Sequence, residues 1–124
     1  MKLCRFGALN AEKPGLIDDQ GRLRDLSGVL DDIGPDQLSD DVFEMLNGID
    51  VDTLPIVSGS VRMGVPISGI SKYICIGLNY SDHAAESGLP VPGEPIIFLK
   101  ATSAISGPND PIIQPPHSSQ LDWE

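Results

Sequence analysis

Apolar residues in this chain fall in short clusters, and the spacing of those clusters sets the elements. Leu3 to Leu9 is strand-like, followed by a connection through Lys13-Pro14-Gly15 and a second apolar run at Leu16-Ile17. Asp18-Asp19-Gln20-Gly21 is a turn in which Gly21 is free to take a positive φ, and Arg22 to Leu26 returns as the partner strand of a β-hairpin. A helix is predicted next. Pro35 suits its first turn, Asp36, Asp40 and Asp41 favour its positive end, and Leu38, Val42, Met45 and Leu46 form an apolar stripe before Asn47-Gly48 stops it. Residues 50–70 show no sustained period and contain Pro55, Gly59, Gly64, Pro66 and Gly69, so they read as a connection of short extended pieces. Tyr73-Ile74-Cys75-Ile76 is a continuous apolar run of the kind expected in a buried strand. Gly77 ends it, and Asn79-Tyr80-Ser81 leads into a short helix closed by Gly88. Beyond it, prolines bracket a strand at Ile96-Ile97-Phe98-Leu99-Lys100 and a shorter apolar pair, Ile112-Ile113.

Composition narrows the functional classes. Among 124 residues, 18 Asp and Glu stand against 8 Lys and Arg, a formal net charge of -10. Such a chain lacks the phosphate-neutralising surface that a nucleic acid or an anionic membrane requires, so neither is expected as a partner. No stretch approaches the roughly 18 consecutive apolar residues of a membrane span, and Met1 to Gly7 lacks the form of a signal peptide. Cys4 and Cys75 sit in apolar, strand-like surroundings outside any C-x-x-C motif, which predicts two reduced thiols and a cytoplasmic location. The acidic residues of the first helix are expected to be a solvated face rather than a cation site.

Few residues offer chemistry. His83 and Glu86 lie three apart on the short helix after the 73–76 strand, a spacing that puts both on one face. A carboxylate beside an imidazole orients the ring and makes an acid–base pair, although spacing alone equally describes an incidental pair on an exposed helix. Positions just beyond the end of a strand are favoured for active sites, which strengthens the first reading. Asp122 and Glu124 would share one face of a strand, with Trp123 on the other. Two carboxylates so placed suit a hard cation, or equally face solvent at a frayed end. Lys100 ends an apolar strand, where its amine either meets an anionic substrate or marks the strand's exposed end. His117 reads as a surface residue.

Tyr73 to Glu86, with its G-x-N-Y-x-x-H-x-x-E block, and Glu94 to Lys100, with E-P-x-x-F-x-K, resemble the fumarylacetoacetate hydrolase family. The resemblance continues through Gly107-Pro108-Asn109-Asp110-Pro111-Ile112-Ile113 to Asp122-Trp123-Glu124 and covers about half the chain densely. The opening, including Gly21-Arg22-Leu23-Arg24-Asp25-Leu26-Ser27-Gly28, looks like the branch containing hydrolases of 2,4-diketo-3-deoxy sugar acids and proteins called ureidoglycolate lyase. The resemblance implies a mixed, β-rich α+β fold. A small amino-terminal β module with one helix would span residues 1–65, and the start of a mixed β-roll catalytic domain, incomplete here, would span 66–124.

The resemblance further implies a divalent metal, Mg²⁺ or Mn²⁺, chelating a small 2-oxo or 2,4-dioxo acid, and a homodimer. Glu124 matches the first metal ligand, while the remaining ligands would lie past this chain. His83 would activate water or shuttle a proton with Glu86 as its partner, on a helix acting as a lid, and Lys100 matches a lysine near the pocket. The expectation is therefore an amino-terminal fragment of a longer enzyme, inactive alone. Its reaction is expected to be C–C bond hydrolysis of a 2,4-diketo-3-deoxy sugar acid, with a ureidoglycolate lyase, decarboxylase or isomerase as alternatives in the same family. From another class, a non-catalytic binding or assembly module remains the alternative.

Overall fold

The computed structural model describes residues 2–121 and shows a mixed α+β fold with two separate antiparallel sheets. The first sheet has the order β1-β2-β3, formed by Lys2–Phe6, Lys13–Ile17 and Leu23–Asp25. Its hairpin turn follows the expected residues. Gly21 has φ 76°, and its N–H donates to the carbonyl of Asp18 at 2.9 Å. The Asp18 carboxylate accepts from the backbone N–H of Gln20 and Arg22, which ties down the turn.

The Lys13-Pro14-Gly15 segment, expected as a connection, lies inside the central strand β2. A proline there is tolerable because N and O of one strand residue face the same side. The Pro14 carbonyl accepts from Leu26 N–H at 3.0 Å, beyond the last ladder residue of β3, so the missing donor breaks no pair with that strand. Gly15 is required by packing: a Cβ at this position would lie 2.9 Å from the Phe6 ring and 3.0 Å from Leu23.

The segment after the first helix does more than connect. Val57 N–H donates to Leu23 O and Asp25 N–H to Pro55 O, so Ile56 bridges the outer edge of β3. Gly7 N–H donates to Arg62 O and Gly64 N–H to Arg5 O, so Met63 bridges the outer edge of β1. Both edges of the sheet are thereby partly paired, which satisfies backbone groups that an open edge would leave exposed.

The predicted helix is shorter than expected. Pro35–Gln37 is a separate 3-10 turn, and α1 spans Asp40–Asn47. Gln37 Oε1 accepts from Gly34 N–H at 3.0 Å and closes the first turn on itself. Ser39 then opens the true helix, its hydroxyl accepting from Val42 N–H. Of the expected stripe, Leu46 is fully buried and Val42 half-buried, whereas Leu38 and Met45 are exposed. Leu46 joins Leu16, Leu26 and Leu54 in the core, flanked by Leu3, Leu30, Val42, Ile49 and Val51.

Arg24, 3% exposed, is the buried cation of this half. Its guanidinium donates to Asp18 at 3.0 Å, to Asp52 at 2.8 Å and to the Leu54 carbonyl at 2.9 Å, binding the hairpin to the segment after α1. Burial works against ionisation of Asp18, but donors from Arg22 and Arg24 outweigh it and hold the carboxyl far below the usual carboxylate range.

The second sheet is a two-stranded ribbon. β4, Tyr73–Gly77, pairs antiparallel with β5, Ile96–Lys100, in a register from Tyr73↔Lys100 to Gly77↔Ile96. Both strands form where expected, but the expectation that the 73–76 run is buried is not met. Ile74 is 56% exposed, and Ile97 and Leu99 are each 68% exposed. A lone ribbon has two faces, its apolar residues point to both, and the described residues place no second layer over either. Cys4 and Cys75 are free thiols as expected, and burial pushes the Cys4 thiol up.

Candidate active site

The loop and helix between the two ribbon strands carry the candidate chemistry. Gly77 packs against Ile96 closely enough that a Cβ would stand 3.4 Å from its side chain, and Leu78 follows with φ 48°. This left-handed residue turns the chain out of β4 and into α2, Ser81–Glu86, with Tyr80 as its extended N-cap residue. The helix ends as the sequence predicts. Gly88 takes φ 67°, its N–H donates to Ala85 O, and Leu89 N–H reaches back to Ala84 O. Ala84 is the one buried residue of α2, so the helix is anchored by a single small side chain.

His83 and Glu86 therefore lie on a helix, as expected, and both are exposed. Among the described residues no hydrogen bond or ion pair joins their side chains; the Asp82 carboxylate accepts from the His83 backbone N–H at 2.9 Å. Lys100 is half-buried and sits opposite Tyr73, at the far end of the ladder from the Gly77↔Ile96 pair that feeds α2. Four ladder steps, about 13 Å along the strand, separate the two ends. The ribbon thus brings His83 and Glu86 together on one short helix and places Lys100 at the opposite end. Glu124, with Asp122 and Trp123, lies outside the described residues. Among the described residues no three His, Cys, Asp or Glu side chains are grouped to hold a metal ion, so they do not make a metal centre by themselves.

A groove of about 970 Å³ among the described residues lies elsewhere, between the first sheet and residues 103–113. Arg5, Glu12, Asp32, Arg62 and Asp110 line it, and none of His83, Glu86 or Lys100 does. Its charges are mutually satisfied. Arg62 donates from Nε and Nη2 to both oxygens of Asp110 at 2.7 Å, and from Nη1 to Glu12 at 2.7 Å. Arg5 donates to both oxygens of Asp32, at 2.7 and 3.2 Å, and lies 3.8 Å from Glu12. The Arg62 hydrogen bonds hold the carboxyls of Glu12 and Asp110 below the usual carboxylate range, and the same bonds raise the Arg62 pKa. For Asp32, burial opposes ionisation, but the Arg5 guanidinium outweighs it and lowers the pKa.

Sequence reasoning missed this set. Arg62 sits in the aperiodic 50–70 stretch, where no pattern marks it. The Gly107-Pro108-Asn109 run before Asp110 carried the only usable signal, because Pro and Asn there mark a turn.

Residues 72–124 match the family described as Fumarylacetoacetate (FAA) hydrolase C-terminal. Over all 124 residues the chain is 50% identical to a 2,4-didehydro-3-deoxy-L-rhamnonate hydrolase of Sphingomonas sp. (strain SKA58), covering 42% of that protein. It is 52% identical over the same span to proteins of Burkholderia ambifaria (strain MC40-6) and Burkholderia multivorans (strain ATCC 17616 / 249), which carry only a general hydrolase name and of which it covers 44%. The chain spans less than half the length of these curated relatives. No helix among the described residues is long and apolar enough to cross a membrane.

Proposed function

We propose that a polypeptide carrying this sequence is an enzyme of the fumarylacetoacetate hydrolase family, whose model residues 72–124 match, and that it hydrolyses a C–C bond in a 2,4-diketo-3-deoxy sugar acid. One observation carries the reading: 50% identity over all 124 residues to a protein named as a hydrolase of such an acid.

In this reaction water adds to the C4 carbonyl and the C3–C4 bond breaks. The bonding pair stays on C3 as the enolate of a 2-oxo acid, and protonation of C3 releases pyruvate beside a second carboxylic acid. His83 takes the proton from the attacking water, and Glu86, on the same face of α2, orients and stabilises the charged imidazole. Both groups are exposed, so α2 works as a lid that closes over the bound acid. Its support is the positive φ at Leu78 and Gly88 on either side and the single buried anchor, Ala84. Lys100 attracts the substrate carboxylate.

The proposal includes a divalent cation, Mg²⁺ or Mn²⁺, with Glu124 as one ligand and further carboxylates from the portion of the relatives that this chain does not span. Such a cation, when bound, polarises the oxygens of a 2-oxo acid. The assembly is proposed to be a homodimer.

Pyruvate release from a 2,4-diketo-3-deoxy sugar acid, followed in the full-length polypeptide, tests the reading. Activity is expected to fall by about 10²–10⁴-fold in His83→Ala. Glyoxylate from ureidoglycolate in place of pyruvate would transfer the assignment to a lyase, and full activity in His83→Ala would remove His83 from the mechanism.

A further inference from the structure

We propose that Arg62 is a latch: a positioning residue that fixes residues 105–113 onto the first sheet. Its main chain is part of that sheet's edge, since Gly7 N–H donates to the Arg62 carbonyl at 2.9 Å. Its side chain reaches away and divides its donors between two partners. One edge of the guanidinium, Nε and Nη2, takes both oxygens of Asp110, 48 residues on. The other side, Nη1, takes Glu12 at 2.7 Å and the Gly7 carbonyl at 3.3 Å. Glu12 in turn faces Arg5, which is held by Asp32, so five charged side chains run in an unbroken ionic chain from Asp32 to Asp110. The fork geometry gives direction as well as attraction, because a bidentate arginine–carboxylate pair fixes both planes.

A second feature places the same turn. Asp110 Oδ2 accepts from Gly107 N–H at 2.7 Å, and Asp110 N–H donates to Gly107 O at 3.2 Å. A Cβ on Gly107 would lie 2.5 Å from the Met63 carbonyl oxygen, so the turn is pressed against the backbone beside Arg62 with no room for a side chain. The Gly107–Asp110 turn therefore has its own closure and its own contact surface, and Arg62 joins both to the first sheet. The first sheet then sets the course of the chain after β5, in addition to supporting its own core. This holds whichever substrate or metal the full polypeptide uses.

Amide hydrogen exchange on the full chain tests the latch. In Arg62→Met, exchange of the hydrogen-bonded Gly107 and Asp110 amides within 105–113 is expected to accelerate about tenfold while the amides of β1, β2 and β3 stay within about twofold. Unchanged exchange at 105–113, or equal acceleration across the first sheet, would overturn the proposal by making Arg62 irrelevant or a general stabiliser. Arg62→Lys keeps the charge without the fork and is expected to fall between wild type and Arg62→Met. Wild-type behaviour in Arg62→Lys would show that charge alone suffices and would overturn the two-sided grip. Should Arg62→Met not fold, Arg62→Gln removes the two-sided fork while leaving the Asp110–Gly107 bond intact, and is read by the same two regions with the same supporting and overturning results.

Discussion

β1 and β2 on one side and β4 and β5 on the other are strands of equal length, each five residues, yet they use apolar residues in opposite ways. In the first sheet, Cys4 and Phe6 are buried on one face and Leu16 on the other, where α1 adds Leu46 and the segment after it adds Leu54. In the β4–β5 ribbon, which is the more hydrophobic by sequence, Ile97 and Leu99 stand largely in solvent. The difference lies in what covers them, since a strand becomes core only when a second layer arrives. The same contrast divides the buried support from the proposed chemistry. His83 and Glu86 sit on α2 between the two uncovered strands, while the buried core and the ionic chain belong to the first sheet and its joint with residues 105–113. Moving parts of enzymes come from the less stable end of a structure, which agrees with the lid role proposed for α2.

Three measurements would break or sharpen this contrast. The largest effect is expected from Leu26→Ala. Leu26 is fully buried in the four-leucine core, and its truncation should cost about 2–5 kcal/mol in denaturant unfolding followed by circular dichroism. A loss below about 1 kcal/mol would mean that the first sheet is no better consolidated than the ribbon.

Acid comes next. Glu12, Asp32 and Asp110 all have folded-state pKa values lowered by their arginine partners, with burial opposing the shift. A depressed carboxyl stabilises the fold above its unfolded pKa, about 4, and the contribution is lost as pH falls through the folded value. Thermal midpoints should therefore hold steady from pH 7 to about 5 and drop below about 4, with residues 105–113 loosening in the same window. β4 and β5 contain no Asp or Glu, so a loss that began in the ribbon would contradict this assignment.

The smallest stability effect is expected at Ile97→Ser. At 68% exposure the side chain loses little on truncation, and unfolding should move by no more than about 0.5 kcal/mol. The same change should raise the protein concentration at which the chain stays monomeric in light scattering, because exposed apolar strands promote association. A loss above about 1.5 kcal/mol would show that the ribbon is covered in solution.

The sequence was most legible where one residue type imposes one local geometry. Gly21 and Gly88 marked a hairpin turn and a helix end, and both have positive φ. The Tyr73–Gly77 and Ile96–Lys100 strands and the short helix with His83 and Glu86 were readable from runs and spacing. The start of α1 was not, because Pro35 and Ser39 are both good openings and only the Gln37–Gly34 closure separates them. Nor was Pro14 inside β2, since a proline in a central strand is acceptable only where the neighbouring strand has already ended. The candidate site divides in the same way. His83 and Glu86 share a helix because they are three residues apart, whereas Arg62 and Asp110 meet across 48 residues that carry no common period.

By itself, then, the sequence determined the local elements, the acidic balance and the helix that carries His83 and Glu86. These depend on φ preferences, hydrophobic spacing and charge within a few residues of each other. Only the tertiary structure decided which apolar strands are covered, where Lys100 stands along the ribbon, and that Arg62 bridges Glu12 and Asp110. Those outcomes rest on contacts between distant segments, where packing and charge pairing select among partners that no local pattern distinguishes.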